Sequence, residues 1–151
     1  MKTKIFVFVS LMIVSAVATA FCADKGTPVK NWNNVQTYDL VALQKNIAPE
    51  QGKVVGVRCN FRGKDIHHLK PNWFESSIWQ KKPDGKGFVD LRVMIAQKDL
   101  EAFKSIKTES GGEDFVLYGR VERDIEANFF YVRLLGRNAT SDAKGNATLV
   151  W

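Results

Sequence analysis

The chain has 151 residues, with 22 basic and 16 acidic side chains and a formal net charge of +6. This mild positive balance is compatible with anionic partners but does not require them, because exported domains of many kinds carry a similar charge. Beyond residues 1–20, no stretch of the sequence is apolar enough to predict a membrane span.

Residues 1–20, MKTKIFVFVSLMIVSAVATA, have the pattern of a secretory signal peptide. Two lysines near the start precede an apolar run, and Ala18 and Ala20 supply the small-x-small pattern that signal peptidase accepts. We expect cleavage after Ala20 or after Cys22 and an exported protein, periplasmic or extracellular. Cleavage after Ala20 leaves 131 residues and lowers the net charge to +4. That length is typical of one domain whose hydrophobic core is large enough to be stable without disulfide bonds.

The two cysteines leave alternatives open. Cleavage after Cys22 leaves Cys59 as an unpaired thiol, whereas cleavage after Ala20 allows a Cys22–Cys59 disulfide in an oxidising compartment. A lipoprotein signal needs a small residue immediately before its cysteine. Phe21 is bulky there, which disfavours lipid anchoring.

In the N-terminal part of the mature chain, the residue pattern changes from polar to helical spacing at Thr37. Residues 21–36 are polar and contain Gly and Pro, which predicts a flexible lead. From Thr37, apolar side chains recur every three or four residues, and Pro49 ends the pattern. The sequence therefore predicts a short amphipathic helix with Thr37 as its cap.

Five segments then alternate with the period of two that is typical of strands. In the first, KVVGVRCNFRG, the alternation places Cys59 and Phe61 inward and Arg58 outward. Residues 63–75 are predicted as a polar loop, and helical spacing returns at residues 98–107. The predicted strands, in chain order, lie in KVVGVRCNFRG, SSIWQKK, GFVDLRVMIAQ, FVLYGRVER and FFYVRLLGR.

This order of elements resembles that of the OB-fold superfamily, the oligonucleotide- and oligosaccharide-binding fold. Within it, LYGRVERDIEANFFYVRLLG is similar to the closing strand pair of such domains. The resemblance covers residues 53–137 and implies a mainly β, five-stranded Greek-key barrel with a helix between strands three and four, within a single domain of residues 37–137. The predicted N-terminal helix is an addition to this pattern. The tail, residues 138–151, has room for one extra strand.

Residues 67–73, HHLKPNW, contain both histidines of the chain and raise the question of a metal site. Adjacent side chains point apart on a strand, so His67 and His68 do not readily bind one tetrahedral ion, and zinc ligands usually come in pairs two to four residues apart. Cys59 is predicted to face inward, which argues against a reactive thiol. We therefore expect no metal, no cofactor and no enzymatic activity.

The predicted outward faces of the strands carry arginines interleaved with aromatic side chains. Guanidinium groups neutralise phosphates and rings stack on bases or sugars, so this pattern suits a flexible anionic polymer, either a nucleic acid or a glycan. The first inter-strand loop, which OB-folds use for ligands, adds one lysine and one tryptophan. The candidate binding residues are Arg58, Lys70, Trp73, Trp79, Arg92, Tyr118, Arg120, Tyr131 and Arg133.

Two function classes remain open from the sequence. The first is an exported, non-enzymatic binding module for an anionic polymer. The second is a structural or protein-interaction component of the cell envelope that has no small-molecule site, in which case the arginines belong to an ordinary solvated exterior.

Overall fold

The computed structural model describes residues 25–151, and about half of this range lies in β-strands. The predicted signal peptide and Cys22 lie outside the described residues. Residues 25–151 contain eleven strands: β1 (Thr27–Val29), β2 (Thr37–Asp39), β3 (Val54–Cys59), β4 (Phe61–Arg62), β5 (His67–Lys70), β6 (Trp73–Lys81), β7 (Phe88–Ala96), β8 (Phe115–Asp124), β9 (Phe129–Gly136), β10 (Asn138–Ser141) and β11 (Ala147–Val150). The two α-helices are α1 (Leu40–Lys45) and α2 (Leu100–Lys104). Neither helix of residues 25–151 has the length and hydropathy that crossing a bilayer requires.

The strands form two open sheets. The larger has eight strands in the order β2-β3-β8-β9-β7-β6-β4, with β5 added against β6, and the smaller has the order β1-β11-β10. Pairings are antiparallel except β2 with β3 and β7 with β9. The prediction of a mainly β fold is confirmed. The prediction of a closed five-stranded barrel is wrong, because the five predicted strands belong to a larger open sheet as β3 and β6 to β9.

A break at Asn60 explains part of this difference. Asn60 separates β3, which pairs with β8, from β4, which pairs with β6. Its backbone N–H donates to the carbonyl of Trp79 at 2.8 Å. Phe61 lies directly opposite Trp79, and residues opposite each other in an antiparallel pair share one face. Phe61 is therefore on the outward face, and the inward position predicted for it is wrong.

The terminal segments of the described chain build the smaller sheet. In the predicted flexible lead, Thr27–Val29 pairs with β11, and Trp32 packs edge-on against Tyr118 with ring centroids 5.0 Å apart. The C-terminal tail contains two strands, β10 and β11, where one was expected. Val29, Leu135 and Leu149 form the small core beneath this sheet.

The first helix starts later than predicted because Thr37–Asp39 pairs in parallel with β3. At the helix start, the backbone N–H of Leu40 donates to Oε1 of the buried Gln80 at 2.7 Å. Oδ1 of Asp39 accepts hydrogen bonds from Arg58 at 2.9 Å and from Gln80 at 3.2 Å. The first turn of a helix has backbone N–H groups without a partner inside the helix, and the side chain of a capping residue usually accepts from them. Here Gln80 accepts from one of them.

The main core lies on the inward side of the larger sheet. The predicted inward residues of β7, namely Val89, Leu91, Val93 and Ile95, are buried, as their alternation predicts. Cys59 is buried as well, and burial raises the pKa of its thiol. Leu40, Leu43 and Phe103 from the two helices join the same cluster. Burying one such aliphatic or aromatic side chain contributes about 1.5–3 kcal/mol to the stability of the fold, so the inward positions stabilise the sheet. The outward positions remain available for a ligand.

Candidate ligand-binding face

The HHLKPNW stretch forms a hairpin, where the sequence predicted a loop. His67–Lys70 is strand β5, Asn72 takes the left-handed conformation with φ of 66°, and β6 begins at Trp73. Asparagine tolerates this conformation better than most residues. The hairpin brings Lys70 opposite Trp73 at the edge of the larger sheet.

Strand register collects outward side chains from β6, β7, β8 and β9 on one side of the sheet. Glu75 lies opposite Met94, and Met94 is paired with Arg133 across the parallel β7–β9 contact. Tyr131 lies opposite Glu122. Because directly paired residues share a face, these side chains form one surface, which we call the outward face.

Glu122 holds two of the predicted binding residues in place. Its Oε1 accepts a hydrogen bond from Nε of Arg133 at 2.7 Å, and its Oε2 accepts one from the Tyr131 hydroxyl at 2.9 Å. Partial burial and the interaction with the Glu122 carboxylate raise the pKa of Tyr131 to about 12. The arginine and the tyrosine are therefore fixed in orientation, with the tyrosine in its neutral form near neutral pH.

A cleft of about 160 Å³ opens above these residues. The Arg133 guanidinium carbon lies 5.9 Å from the centre of the Trp73 ring, within the range of a cation–π contact. Met94 points outward but is only 6% exposed, because the residues around it cover it. The lining consists of Lys70, Trp73, Met94, Glu122, Tyr131 and Arg133, and we call it the cation–aromatic cleft.

Arg92 lies on the outward face, next to the cation–aromatic cleft. Its Nε lies 3.3 Å from Oε1 of Glu75, and its guanidinium carbon lies 4.0 Å from the centre of the Phe129 ring. Phe129 in turn approaches Tyr131 with a centroid distance of 6.2 Å. Arg92 is thus sandwiched between a carboxylate and an aromatic ring, beside the cleft.

The other end of the face carries three neighbouring rings, Phe61, Trp79 and Phe88, which we call the aromatic shelf. Phe61 and Trp79 are nearly parallel, with centroids 6.0 Å apart, and Phe88 meets Phe61 edge-on at 5.5 Å. The indole N–H of Trp79 donates to the Ser77 hydroxyl at 2.8 Å, which orients the ring. A shallow groove of about 230 Å³ runs along the shelf, and Phe88 is 41% exposed.

Three predicted binding residues lie away from both sites. Arg58 pairs with Asp39 at 2.9 Å beside α1. Tyr118 packs on Trp32 under the smaller sheet, and Arg120 donates to the carbonyl of Gly52 at 2.6 Å. The structure therefore brings together Lys70, Trp73, Tyr131 and Arg133, and places Arg92 beside them and Trp79 on the shelf. Arg58, Tyr118 and Arg120 line neither the cleft nor the shelf, although Arg120 lies directly opposite Arg133 in the β8–β9 pair.

Charge pairing distinguishes this face from a strongly basic one. Arg92 and Arg133 each have a carboxylate within 3.3 Å, so their charges are largely compensated. For Lys70, by contrast, residues 25–151 contain no hydrogen-bond or ion-pair partner. The outward face thus combines partly exposed rings with two compensated arginines and the uncompensated ammonium of Lys70.

Sequence reasoning missed Phe61, Phe129, Met94 and Glu122. Alternation from Tyr131 and Arg133 places Phe129 on the outward side, so the sequence contained a signal for that residue. Phe61 carried no such signal, since only the break at Asn60 turns it outward.

A larger cavity of about 480 Å³ lies elsewhere, beside the loop at residues 111–113, with Lys107 and Arg137 in its lining. Both side chains are exposed, and the lining contains no ring-on-ring surface. The cavities of the outward face are smaller, but hydrogen bonds hold the side chains of Tyr131, Arg133 and Trp79 on that face in place.

The histidines do not form a site in this structure. The His68 ring packs on Phe74 with centroids 5.2 Å apart, and Cys59 is buried beneath the sheet. In the part of the chain that the structure describes, no three His, Cys, Asp or Glu side chains converge as metal ligands would. The expectations of no metal, no cofactor and no catalysis stay predictions.

No model of a known protein family matches the chain, and no curated protein is similar to it in sequence. Function is therefore inferred from the geometry of the outward face.

Proposed function

We propose that the protein is a non-enzymatic binding module that takes a glycan chain along the outward face, from the aromatic shelf to the cation–aromatic cleft. The observation that carries this proposal is the combination of partly exposed rings with arginines already compensated by carboxylates. Trp79 and Trp73 are six residues apart on β6, about 20 Å at about 3.3 Å per residue, which gives room for several sugar rings.

The ring surfaces suit the apolar C–H face of a sugar. Aromatic rings provide a large rigid contact area at low conformational cost, and the Ser77 hydrogen bond already fixes Trp79. The Arg92–Glu75 and Arg133–Glu122 pairs combine donors and acceptors that hydroxyl groups can use.

A nucleic acid fits the face less well. Its binding depends on neutralising many phosphates with free cations. Two arginines of this face have carboxylate partners, Arg120, directly opposite Arg133, donates to the carbonyl of Gly52, and Arg58 pairs with Asp39 beside α1. Compensated arginines favour a polymer that is recognised through its rings and hydroxyl groups over one that is recognised mainly through its phosphates.

A binding panel tests the proposal. The mature protein is titrated calorimetrically with cellohexaose, chitohexaose, an oligogalacturonate and an oligothymidylate at low and at about physiological salt. We expect at least one sugar oligomer to bind at physiological salt, and Trp79→Ala to weaken it by about tenfold or more, equivalent to about 1.4 kcal/mol. Ile125→Ala, which removes a side chain that is 86% exposed in the β8–β9 turn, serves as the control.

The panel also separates the alternatives. Binding of the oligothymidylate alone, with a steep loss of affinity as salt rises, would replace the glycan proposal with a nucleic-acid one. Failure of all sugar oligomers to bind would overturn it.

The second candidate is a protein-interaction role, and the edge of β5 favours it. All four residues of β5 are exposed, Leu69 is 51% exposed, and within residues 25–151 β5 pairs only with β6. An open strand edge can accept a strand from another chain. Hydrogen exchange with and without cell-envelope extract tests this role, since protection confined to β5 amides supports it and unchanged exchange there contradicts it.

Two further points belong to the proposal. Export follows from residues 1–20, and the intact mass of the secreted protein tests it by showing cleavage after Ala20 or Cys22. The relation to the OB-fold superfamily is supported by the order of elements, since α2 lies between the third and fourth of the five predicted strands.

A further inference from the structure

The cation–aromatic cleft has hydrogen-bonding capacity that the protein itself does not use. Arg133 engages Glu122 only through Nε. Within residues 25–151, no hydrogen bond or ion pair occupies either of its Nη groups or the ammonium of Lys70. These are strong donors, and both residues line the same cleft.

Arg133 is held in a defined orientation. Glu122 fixes its Nε side, the centre of the Trp73 ring lies 5.9 Å from its guanidinium carbon, and the side chain is 30% exposed. A guanidinium held in this way loses little freedom when it binds, and its planar donors match the two oxygens of a carboxylate.

The charge and size of the cleft restrict the ligand group. Lys70 and Arg133 contribute two positive charges and Glu122 one negative charge, so the lining is singly positive and complements a monoanion. The volume of about 160 Å³ corresponds to about five water molecules at about 30 Å³ each, room for a carboxylate and its neighbouring carbons. Met94 provides an apolar floor that lowers the local dielectric and strengthens the ion pairs.

We propose that the cation–aromatic cleft is a carboxylate subsite, in which Lys70 and the Nη groups of Arg133 bind the acid group of a uronic-acid residue in the glycan. This inference rests on the proposed function and narrows it to glycans that carry carboxylates. The aromatic shelf supplies ring stacking that is independent of charge, and the cleft supplies the selectivity for the acid.

The test uses one polymer in two charge states. The mature protein is titrated with octagalacturonate and with its fully methyl-esterified form at about 150 mM salt, which screens weak surface attraction. We expect the acid form to bind at least about tenfold more tightly than the ester. Free galacturonate serves as a third ligand and measures what the carboxylate-bearing ring contributes without the polymer.

Two variants assign the preference to the cleft. Lys70→Met removes an exposed ammonium with no partner in the described chain, and Arg133→Lys keeps a charge but removes the planar fork. Each is expected to lower the acid-to-ester preference by about threefold or more, because the affinity for the acid falls by more than the affinity for the ester. Lys86→Met, in the β6–β7 turn, is the matched control and should keep the full preference.

The outcomes separate the two proposals. Equal binding of acid and ester, both weakened by Trp79→Ala, would overturn the carboxylate subsite and leave glycan binding intact. An acid preference that Lys86→Met lowers as much as Lys70→Met would also overturn the subsite, because it would reflect the general positive charge. Failure of both forms and of the neutral sugar oligomers to bind would overturn both proposals.

Discussion

Arg133 and Glu122 form a hydrogen-bonded ion pair, Nε to Oε1 at 2.7 Å, across the β8–β9 strand pair. The pair is partly exposed on both sides, so its contribution to stability is small, about 1 kcal/mol or less. Its importance is geometric, since the same carboxylate also accepts the Tyr131 hydroxyl and leaves the Nη side of the guanidinium available.

Tyr131 should make the stability of the protein depend on pH in the alkaline range. Its pKa is raised from 10.0 to about 12, first by burial and then by Glu122, so the folded state favours the neutral phenol. The resulting stabilisation is fully present below about pH 10 and is lost as the pH rises towards about 12. Tyr131→Phe lacks this ionisation, so its free energy of unfolding should fall less than that of the wild type over that window in urea titrations. If the difference in free energy of unfolding between wild type and Tyr131→Phe stayed constant from about pH 10 to about pH 12, the raised pKa of Tyr131 would be contradicted.

Gln80 should be among the most sensitive polar positions. It is buried, and its side chain accepts from the Leu40 backbone and donates to Asp39. Replacing it with Leu leaves the Leu40 N–H without its acceptor, so we expect the free energy of unfolding to fall by about 1–3 kcal/mol. Gln51→Leu, at an exposed position, should change it by less than about 0.5 kcal/mol. Equal effects of the two changes in urea unfolding would show that the Gln80 contacts are unimportant.

Gly119 should not tolerate a side chain. It lies where the β8–β9 register shifts, and an added Cβ would clash with Cγ1 of Val132 and lie 2.7 Å from the carbonyl oxygen of Arg133. Gly119→Ala should therefore cost about 1–3 kcal/mol of unfolding free energy. Gly112→Ala is the control, because its Cβ would meet only the Asn60 carbonyl at 3.5 Å, an ordinary contact. Denaturant unfolding of both variants measures the difference, and a neutral Gly119→Ala would mean that this strand pair is looser than described.

Cys59 should be inert in the folded protein. It is fully buried, its thiol donates weakly to the carbonyl of Phe115 at 3.8 Å, and burial raises its pKa. Native protein treated with iodoacetamide at about pH 8 should show no label on Cys59 by peptide mass mapping, whereas denatured protein should be labelled completely. A Cys22→Ser background removes the other thiol from the experiment. Rapid labelling of Cys59 under native conditions would refute its burial.

The alternation of apolar and polar residues was sufficient to predict most of the larger sheet. In β7, every second residue from Val89 to Ile95 is buried, and in β9 the buried Val132 and Leu134 alternate with the half-buried Tyr131 and Arg133. This succeeds because the side-chain period of a strand is two and one face must be buried. Four of the nine predicted binding residues consequently meet in one cleft.

The remaining features depend on contacts between distant segments. Thr27–Val29 is too short and polar to indicate a strand alone, and it becomes one by pairing with β11. The break at Asn60 places Phe61 on the outward side of the sheet instead of the expected inward side. The local sequence pattern does not predict such a break. The separation of Tyr118 from the cleft follows from the smaller sheet, which provides Trp32 as its packing partner.

The four tryptophans offer a direct test of the proposed binding face. Trp79 lies on the aromatic shelf and Trp73 lines the cleft, whereas Trp32 packs on Tyr118 and Trp151 packs on Phe103. Each indole N–H gives its own signal in a nitrogen–proton correlation spectrum, and single Trp→Phe variants assign them. On titration of the mature protein with octagalacturonate, the signals of Trp73 and Trp79 should shift in a saturable way while those of Trp32 and Trp151 stay in place. Saturable shifts confined to Trp32 or Trp151, or no shift of any indole, would contradict binding at the outward face.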